Sequence, residues 1–310
     1  MNQRRIGSLS VSEVGLGCNN FGWRLDAGET AAVVDAALEA GINFLDTADI
    51  YGGGQSEAFL GRALGAHREE VVIATKFGMA LEGQGKGASP AYIRQAVEAS
   101  LRRLGTDHID LYQLHTPDPT VPIEETLGAL DELVQAGKVR EIGCSNFSVE
   151  QIREADQAAK GDAARFVSVQ NEYNLLHREP EDGVLDECER LGLAFLPYFP
   201  LASGLLTGKY RQGESPPEGS RISKSGRFAE LLSEHNLAIV EDLISFAEAR
   251  DHTILDLAVS WLLARPIVAS VISGATKPEQ VRSNADAASW SLTEEELAEI
   301  DAIVLQEETR

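Results

Sequence analysis

Eight short apolar runs alternate with stretches of helical period along this chain, and no other feature limits its fold so tightly. The runs are "EVGLGC" from Glu13, "INFLDT" from Ile42, "VVIATK" from Val71, "HIDLYQLH" from His108, "VREIGCSN" from Val139, "FVSVQN" from Phe166, "LAFLPYF" from Leu193 and "IVASVISG" from Ile267. Near-continuous apolar strands separated by helices are buried on both faces, which is the habit of parallel β/α units. Eight such units predict an α/β fold, a closed (β/α)8 TIM barrel. The helices carry their own punctuation. "SPAYIRQAVEASLRRLG" sets Ser89 at an N-cap, proline at the first helical position and glycine past the end. Residues Arg4 to Val11 predict a hairpin ahead of the barrel. The connection from about Leu201 to Pro266, between strands seven and eight, is oversized. Its segment "RQGESPPEGSRISKSGR" predicts a mobile flap. Length alone, 310 residues, would allow two domains. Barrels often run this long as one, so a single domain over 1–310 is expected.

In such barrels chemistry sits at the C-terminal ends of the strands. Read in order, those ends give Gly17-Cys18-Asn19-Asn20, Asp46 with Tyr51, Lys76, His115, Ser145-Asn146, Gln170-Asn171, Tyr198 and Gly274. Almost every strand ends in a functional group. A phenol is a poor acid at neutral pH, with an ordinary pKa of about 10, but a neighbouring ammonium lowers it. Lys76 is the natural cation for Tyr51, and Asp46 the natural counter-charge for Lys76. His115 can hydrogen-bond a substrate carbonyl and help move the proton. Each residue alone has a structural explanation; their joint position at successive strand ends makes a proton-donating site. The segment between Asp46 and Glu57 adds three glycines in a row, which leave the Tyr51 loop free to bend.

Composition excludes several partners. The hydrophobic and charged fractions, 43% and 25%, are those of a globular protein. A net charge of −22 argues against nucleic acid and anionic membrane, both of which need basic surface. The stretch Leu255 to Ser273 is broken by Asp256 and Arg265-Pro266 and reads as a buried helix running into a buried strand rather than a membrane span. Cys18, Cys144 and Cys188 lack metal-ligand spacing and fit a reducing cytosol, and the N-terminal stretch lacks the apolar run of a secretory signal. The localisation expected is cytoplasmic. The histidines are scattered, and only His115 falls at a strand end, so a metal-dependent hydrolase on the same barrel lacks its ligands and no metal is expected.

The chain resembles the aldo-keto reductase family. The segments that carry the likeness are "GINFLDTADIYGGGQSEAFLGRAL", "VVIATKFG", "IDLYQLHTPDP", "IGCSNFS", "VQNEYN", "PYFPLASGLLTGKY" and "ISGATKPEQVRSN", which run in order through nearly the whole sequence. The resemblance implies Asp46, Tyr51, Lys76 and His115 as a catalytic tetrad, with Tyr51 the proton donor. It also implies NADPH (or NADP+) bound extended across the barrel mouth without a Rossmann fold. Gly17, Cys18, Asn19 and Asp46 would lie along that path. Ser145, Asn146 and Gln170 would hold the carboxamide, and Tyr198 would stack on the nicotinamide. Phe199, Pro200, Leu201, Ala202, Ser203, Gly204 and Lys209 would lie near the pyrophosphate, with Arg221 a further contact. Thr276 and Lys277 would lie near the adenosine 2′-phosphate, with Gln280 and Asn284 by the adenine and Gly274 a further cofactor contact. Helix N-termini with free N–H groups suit phosphate.

Four positions depart from the family pattern. Many relatives have serine at Phe199, proline at Ser273 and an acidic residue at Ser283, and some have arginine at Gln280. Phe21, Trp23 and Phe77, with Tyr51 and His115, are the expected walls of a substrate pocket. The implied activity is reversible reduction of an aldehyde or ketone, a small-molecule carbonyl substrate. Its rivals are a sugar or polyol dehydrogenase working oxidatively and a regulatory binding protein resembling potassium-channel β subunits, which lack the tetrad histidine present here as His115.

Overall fold

A computed structural model describes residues 1–83, 85–159, 161, 163–217 and 231–306. The chain opens with an antiparallel hairpin, β1 (Gln3–Ile6) and β2 (Leu9–Ser12). Eight parallel strands follow: β3 (Val14–Gly17), β4 (Phe44–Asp46), β5 (Val72–Phe77), β6 (Ile109–Leu114), β7 (Val139–Ser145), β8 (Phe166–Glu172), β9 (Ala194–Tyr198) and β10 (Val271–Gly274). Six fall within the apolar runs read from the sequence, and β5 and β8 run one residue beyond theirs, to Phe77 and Glu172. Their spatial order is β10-β3-β4-β5-β6-β7-β8-β9. The ring closes between β9 and the approach to β10, where Phe195 N–H donates to Ile267 O at 2.9 Å and Phe195 O accepts from Ala269 N–H at 3.0 Å. The barrel anticipated from the sequence is the fold that forms.

Helices link the strands: α1 (Ala27–Glu39), α2 (Gln55–Leu64), α3 (Pro90–Leu104), α4 (Ile123–Gln135), α5 (Val149–Ala158), α6 (Val184–Leu191), α7 (Glu234–Glu248), α8 (Ile254–Leu263), α9 (Pro278–Asp286) and α10 (Glu294–Gln306). Local chemistry fixes their ends. Helix α1 starts at a capping box of Asp26 and Glu29, and α5 at one of Ser148 and Gln151, so two orphan N–H groups are satisfied reciprocally. Ser89 caps α3, Pro90 opens it, and Gly105 ends it at φ 66°. The connection between β9 and β10 is not one long loop. It holds a 3-10 turn (Ala202–Thr207) and the helices α7 and α8, and α8 runs into β10 as a buried unit. Part of the flap expected at 211–227 lies outside the described residues. At its start Arg211 is tied to Glu241 of α7 at 2.6 Å.

The apolar core has two layers. Outside the barrel, residues such as Leu45, Ile73, Phe77, Tyr112 and Val169 pack between strands and helices. Inside, the lower barrel is filled by Phe44, Val72, Ala74, Leu111, Leu196 and Ile272, and the hairpin adds Ile6, Leu9 and Val11 to that cluster. The hairpin is thus a plug at the N-terminal end. Arg4 fastens it by donating to the carbonyls of Leu263 and Val268 at 2.7 and 2.6 Å. With that end filled, the mouth at the strand C-termini is the open face.

Candidate active site

Strand alternation decides which groups meet inside the barrel. In β5, Val72 and Ala74 point inward, so Lys76 does too, and Phe77 points out. Lys76 is buried and donates to Asp46 Oδ2 at 2.6 Å and to Thr47 O at 2.9 Å. The other carboxylate oxygen, Asp46 Oδ1, accepts from Gln170 Nε2 at 2.9 Å and from Gln113 Nε2 at 3.4 Å. Lys76 also lies 5.2 Å from the centre of the Tyr51 ring. His115 meets that ring edge-on, with centroids 5.9 Å apart. The structure therefore brings Asp46, Tyr51, Lys76 and His115 into one cluster.

Tyr51 is carried by a 3-10 turn, Tyr51–Gly54, whose glycines are not a flexible tether. Gly52 and Gly54 sit at φ 58° and 92°. A Cβ on Gly52 would stand 2.8 Å from Phe21 O, and one on Gly54 2.9 Å from Arg103 Cδ. Left-handed backbone packed this closely against its neighbours needs glycine, and it holds the phenol in place.

The electrostatics follow from burial and pairing. Burial raises the Tyr51 pKa above the ordinary phenol value; the charge and hydrogen bond of Lys76 pull it back without cancelling the rise. The net depression anticipated from the sequence is thus not what the site achieves: desolvation outweighs the ammonium, and the phenol stays protonated at neutral pH. Burial pulls Lys76 down, but Asp46 and Tyr51 outweigh it, and its pKa ends above the ordinary lysine value. Burial, aided by Lys76, lowers His115 to about 3, so its imidazole is neutral. Its Nδ1 is buried without a partner among the described residues. The cluster holds one protonated phenol, one ammonium paired with a carboxylate, and one neutral imidazole. That set can give a proton to an oxygen and stabilise the charge that builds there.

Around it, Asn146 sits at φ 62° and donates to His115 O at 2.9 Å and Ser145 Oγ at 3.1 Å. Tyr198 donates its hydroxyl to Asn146 Oδ1 at 2.9 Å. Phe199, Ala202 and Ser203 have φ of 51°, 44° and 57°, unusual for residues with side chains, and Gly204 follows at 98°. Pro200 is buried and Leu201 half-buried. A Cβ on Gly204 would meet Lys209 Nζ at 2.6 Å, so the exposed lysine folds against that turn. Across the seam, Gly274 ends β10 and Lys277 is the N-cap of α9 with no side-chain cap. Gln280 accepts from Thr276 N–H at 2.8 Å, and Asn284 is buried in the same helix. A left-handed turn with a lysine on one side, and an uncapped helix start with a lysine on the other, fit an extended anionic dinucleotide.

Two of the expected pocket walls fall elsewhere, and other expected contacts sit as follows. Phe21 and Phe77 are fully buried, and Phe77 stacks on Tyr112 at 4.7 Å behind the strands, so neither can wall an open pocket. Trp23 is 62% exposed and donates to Asn19 O. The Cys18 side chain is buried, its N–H bonds Asp46 O at 2.8 Å and its carbonyl accepts from Ser56 at 2.9 Å. Gly17 is buried beside Ile272. Arg221 lies outside the described residues. Among the described residues no group of three His, Cys, Asp or Glu could hold a metal ion, and no helix is long and apolar enough to cross a membrane.

Two groups went unnoticed in the sequence. Gln113 lies level with Lys76 in the β5–β6 register and two residues on from inward-facing Leu111. That period-two spacing was the signal available. Behind the Tyr51 turn, Asp49 and Glu57 are buried near one guanidinium, Arg103. Glu57 takes Arg103 Nε and Thr75 Oγ1, each at 2.6 Å, whereas Asp49 Oδ1 has no partner among the described residues.

The family model for the Aldo/keto reductase family matches residues 13–305. The chain belongs to the aldo/keto reductase family. It is 36% identical to the aldo-keto reductase YhdN of Bacillus subtilis over 96% of this chain and 91% of that one. Among solved structures it superposes on the glycerol dehydrogenase AKR11B4 of Gluconobacter oxydans with TM-score 0.85, 34% identity, and coverage of 98% and 95%. It also matches the aldo-keto reductase AKR11C1 of Bacillus halodurans, in its holo form, with TM-score 0.81, 33% identity, and coverage of 98% and 96%. Membership makes this chain an oxidoreductase on the (β/α)8 barrel of its relatives.

Proposed function

We propose that this aldo-keto reductase uses NADPH to reduce an aldehyde or ketone of a small-molecule substrate to the alcohol, reversibly, with Tyr51 as the proton donor. One observation carries the reading: a protonated phenol, a paired ammonium and a neutral imidazole converge at the mouth of the barrel. The dihydronicotinamide, when bound, supplies the hydride. The chain's residues supply the rest. Tyr51 gives its proton to the carbonyl oxygen as charge builds there. Lys76, kept cationic by Asp46, stabilises the phenolate left behind. Neutral His115 donates a hydrogen bond to the same oxygen and orients it.

The cofactor reading rests on Tyr198 beside Asn146, on the strained turn at Ala202–Gly204 with Lys209, and on the uncapped start of α9. NADPH differs from NADH by a dianionic phosphate, which a protein of net charge −22 repels unless local donors compensate. Thr276, Lys277 and the positive end of the α9 helix dipole, which has no side-chain cap, are the proposed partners of that phosphate. Arg282, one turn further on, is engaged by Glu39 at 3.1 Å. A substrate related to a polyol is favoured by the likeness to a glycerol dehydrogenase. Three buried thiols with no disulfide among them suit a reducing cytoplasm.

Titration of both dinucleotides against Lys277→Ala by intrinsic fluorescence tests the choice of cofactor. Losing a hydrogen bond to a charged group should weaken NADPH by roughly 10- to 100-fold and leave NADH nearly unchanged. Equal loss for both, or none for either, would move the 2′-phosphate elsewhere.

A further inference from the structure

The carboxylate of Asp46 faces two ways. Oδ2 takes the Lys76 ammonium, and Oδ1 takes Gln170 Nε2 at 2.9 Å. A carboxylate beside a buried ammonium can only accept hydrogen bonds. The Gln170 atom facing it must therefore be the amide nitrogen; turned the other way, two oxygens would oppose each other at hydrogen-bond distance. Gln113 Oε1, 3.5 Å from the same nitrogen, lies on the same side. Gly143 leaves room for Gln113, since a Cβ there would stand 3.2 Å from Gln113 Cγ. The side-chain amide protons of Gln170 are directed into the barrel; its backbone oxygen takes Ser145 Oγ and the Asn146 N–H, but among the described residues nothing donates to its Oε1. What remains for a ligand is a hydrogen-bond acceptor.

We propose that Asp46, besides pairing Lys76, is a positioning residue for nicotinamide recognition: it fixes Gln170 as an acceptor, so the site takes the N–H of a carboxamide and rejects the carboxylate of a nicotinic acid ring. The inference rests on the cofactor reading above. It gives one carboxylate two tasks, holding the cation beside the proton donor and reading the cofactor through an amide.

The test is equilibrium binding to the apo-protein, followed by intrinsic fluorescence, with NADP+ and its nicotinic acid analogue as probes. The two share everything but the carboxamide, so the ratio of their dissociation constants isolates the group in question. In the wild type the amide form should bind about 10- to 100-fold tighter, the scale of a lost hydrogen bond to a charged group. In Asp46→Asn, Lys76 still demands an oxygen, so the new amide turns its NH2 toward Gln170. Gln170 must then flip and present donors to the mouth. The ratio should fall by about tenfold or more, with the acid form binding more tightly than to the wild type. An unchanged ratio, with both probes still binding, overturns the proposal.

Should Asp46→Asn fail to fold, Gln170→Ala decides the point: with the acceptor gone, the ratio of the two dissociation constants should fall by about tenfold or more, and an unchanged ratio overturns the proposal. If neither dinucleotide binds the wild type, the cofactor reading falls; binding of both with an unchanged ratio in the variant sinks the proposal alone.

Discussion

The lower and upper halves of the barrel interior are lined by the same strands, two residues apart, and hold together by opposite means. In β5 and β6 the lower positions are Ala74 and Leu111, and the upper ones are Lys76 and Gln113. Below, fit is set by shape: Phe44, Leu111 and the hairpin's Ile6 fill space, and nothing there needs a partner. Above, each buried group depends on another. Lys76 needs Asp46, Asp46 needs Gln170, and their worth lies in pairing rather than in area. A deletion below should cost stability and spare chemistry. A deletion above should cost chemistry first, and stability only where it strands a charge.

The largest contrast is expected at Lys76. Lys76→Met keeps most of the stem, removes the cation and leaves Asp46 buried without it. Turnover should collapse, and unfolding by denaturant should show a loss of about 3–5 kcal/mol. Tyr51→Phe separates the two effects: turnover should drop by ~10²-fold or more, with the melting temperature nearly unchanged, because only a hydroxyl is lost. Retained turnover in a clean preparation of either variant would remove that residue from the mechanism. Leu111→Ala is the counterpart below. It should cost about 2–5 kcal/mol of stability while kcat stays near wild type; a proportional fall in kcat would mean the two halves are mechanically coupled.

The smallest expected effect is a pH dependence behind the Tyr51 turn. Burial, then the charge of Glu57, raises Asp49 from 3.8 to about 7, against the pull of Arg103 and Lys76; Tyr92 and Tyr112 also face the cluster. The folded state thus keeps a proton that the unfolded chain has released. That contribution is present below about pH 4 and is lost as pH rises toward 7. Asp49→Asn cannot lose a proton. The wild-type minus variant difference in Tm should fall between about pH 4 and 7 and then level off. A flat difference would mean that Asp49 is ionised throughout.

The sequence showed most of the frame and about half of the site, for physical reasons. Apolar runs mark strands buried on both faces, so all eight could be located. Capping residues act within one turn, so both ends of α3 were legible, at Ser89 and at the glycine past its last turn. The pairing of Asp46 with Lys76 followed from adjacent strand ends. Side-chain direction was harder. Phe77 follows Lys76 directly, and a one-residue step turns it from the mouth to the outer layer. Phe21 was misplaced because its loop tucks back beneath Gly52, a tertiary contact with no local mark. Gln113 hid among apolar neighbours, since an amide carries no charge to betray a polar interior. The Tyr51 pKa was misjudged because the depth of desolvation is a property of the folded site. Three glycines suggested freedom, but their left-handed angles and close neighbours hold the turn fixed.

The ring of strands is fastened at its last joint through Phe195, bonded to Ile267 on one side and Ala269 on the other. Tyr198 and the Ala202–Gly204 turn stand at one edge of that joint, and Gly274 with Lys277 at the other. On the proposed reading, a dinucleotide lying from one edge to the other is a clasp as well as a reagent. Its binding free energy adds to the work of unzipping the barrel there, and that contribution grows with free ligand concentration. The enzyme's resistance to proteolysis would then follow the cell's supply of nicotinamide dinucleotide, and a starved cell would clear the idle protein first.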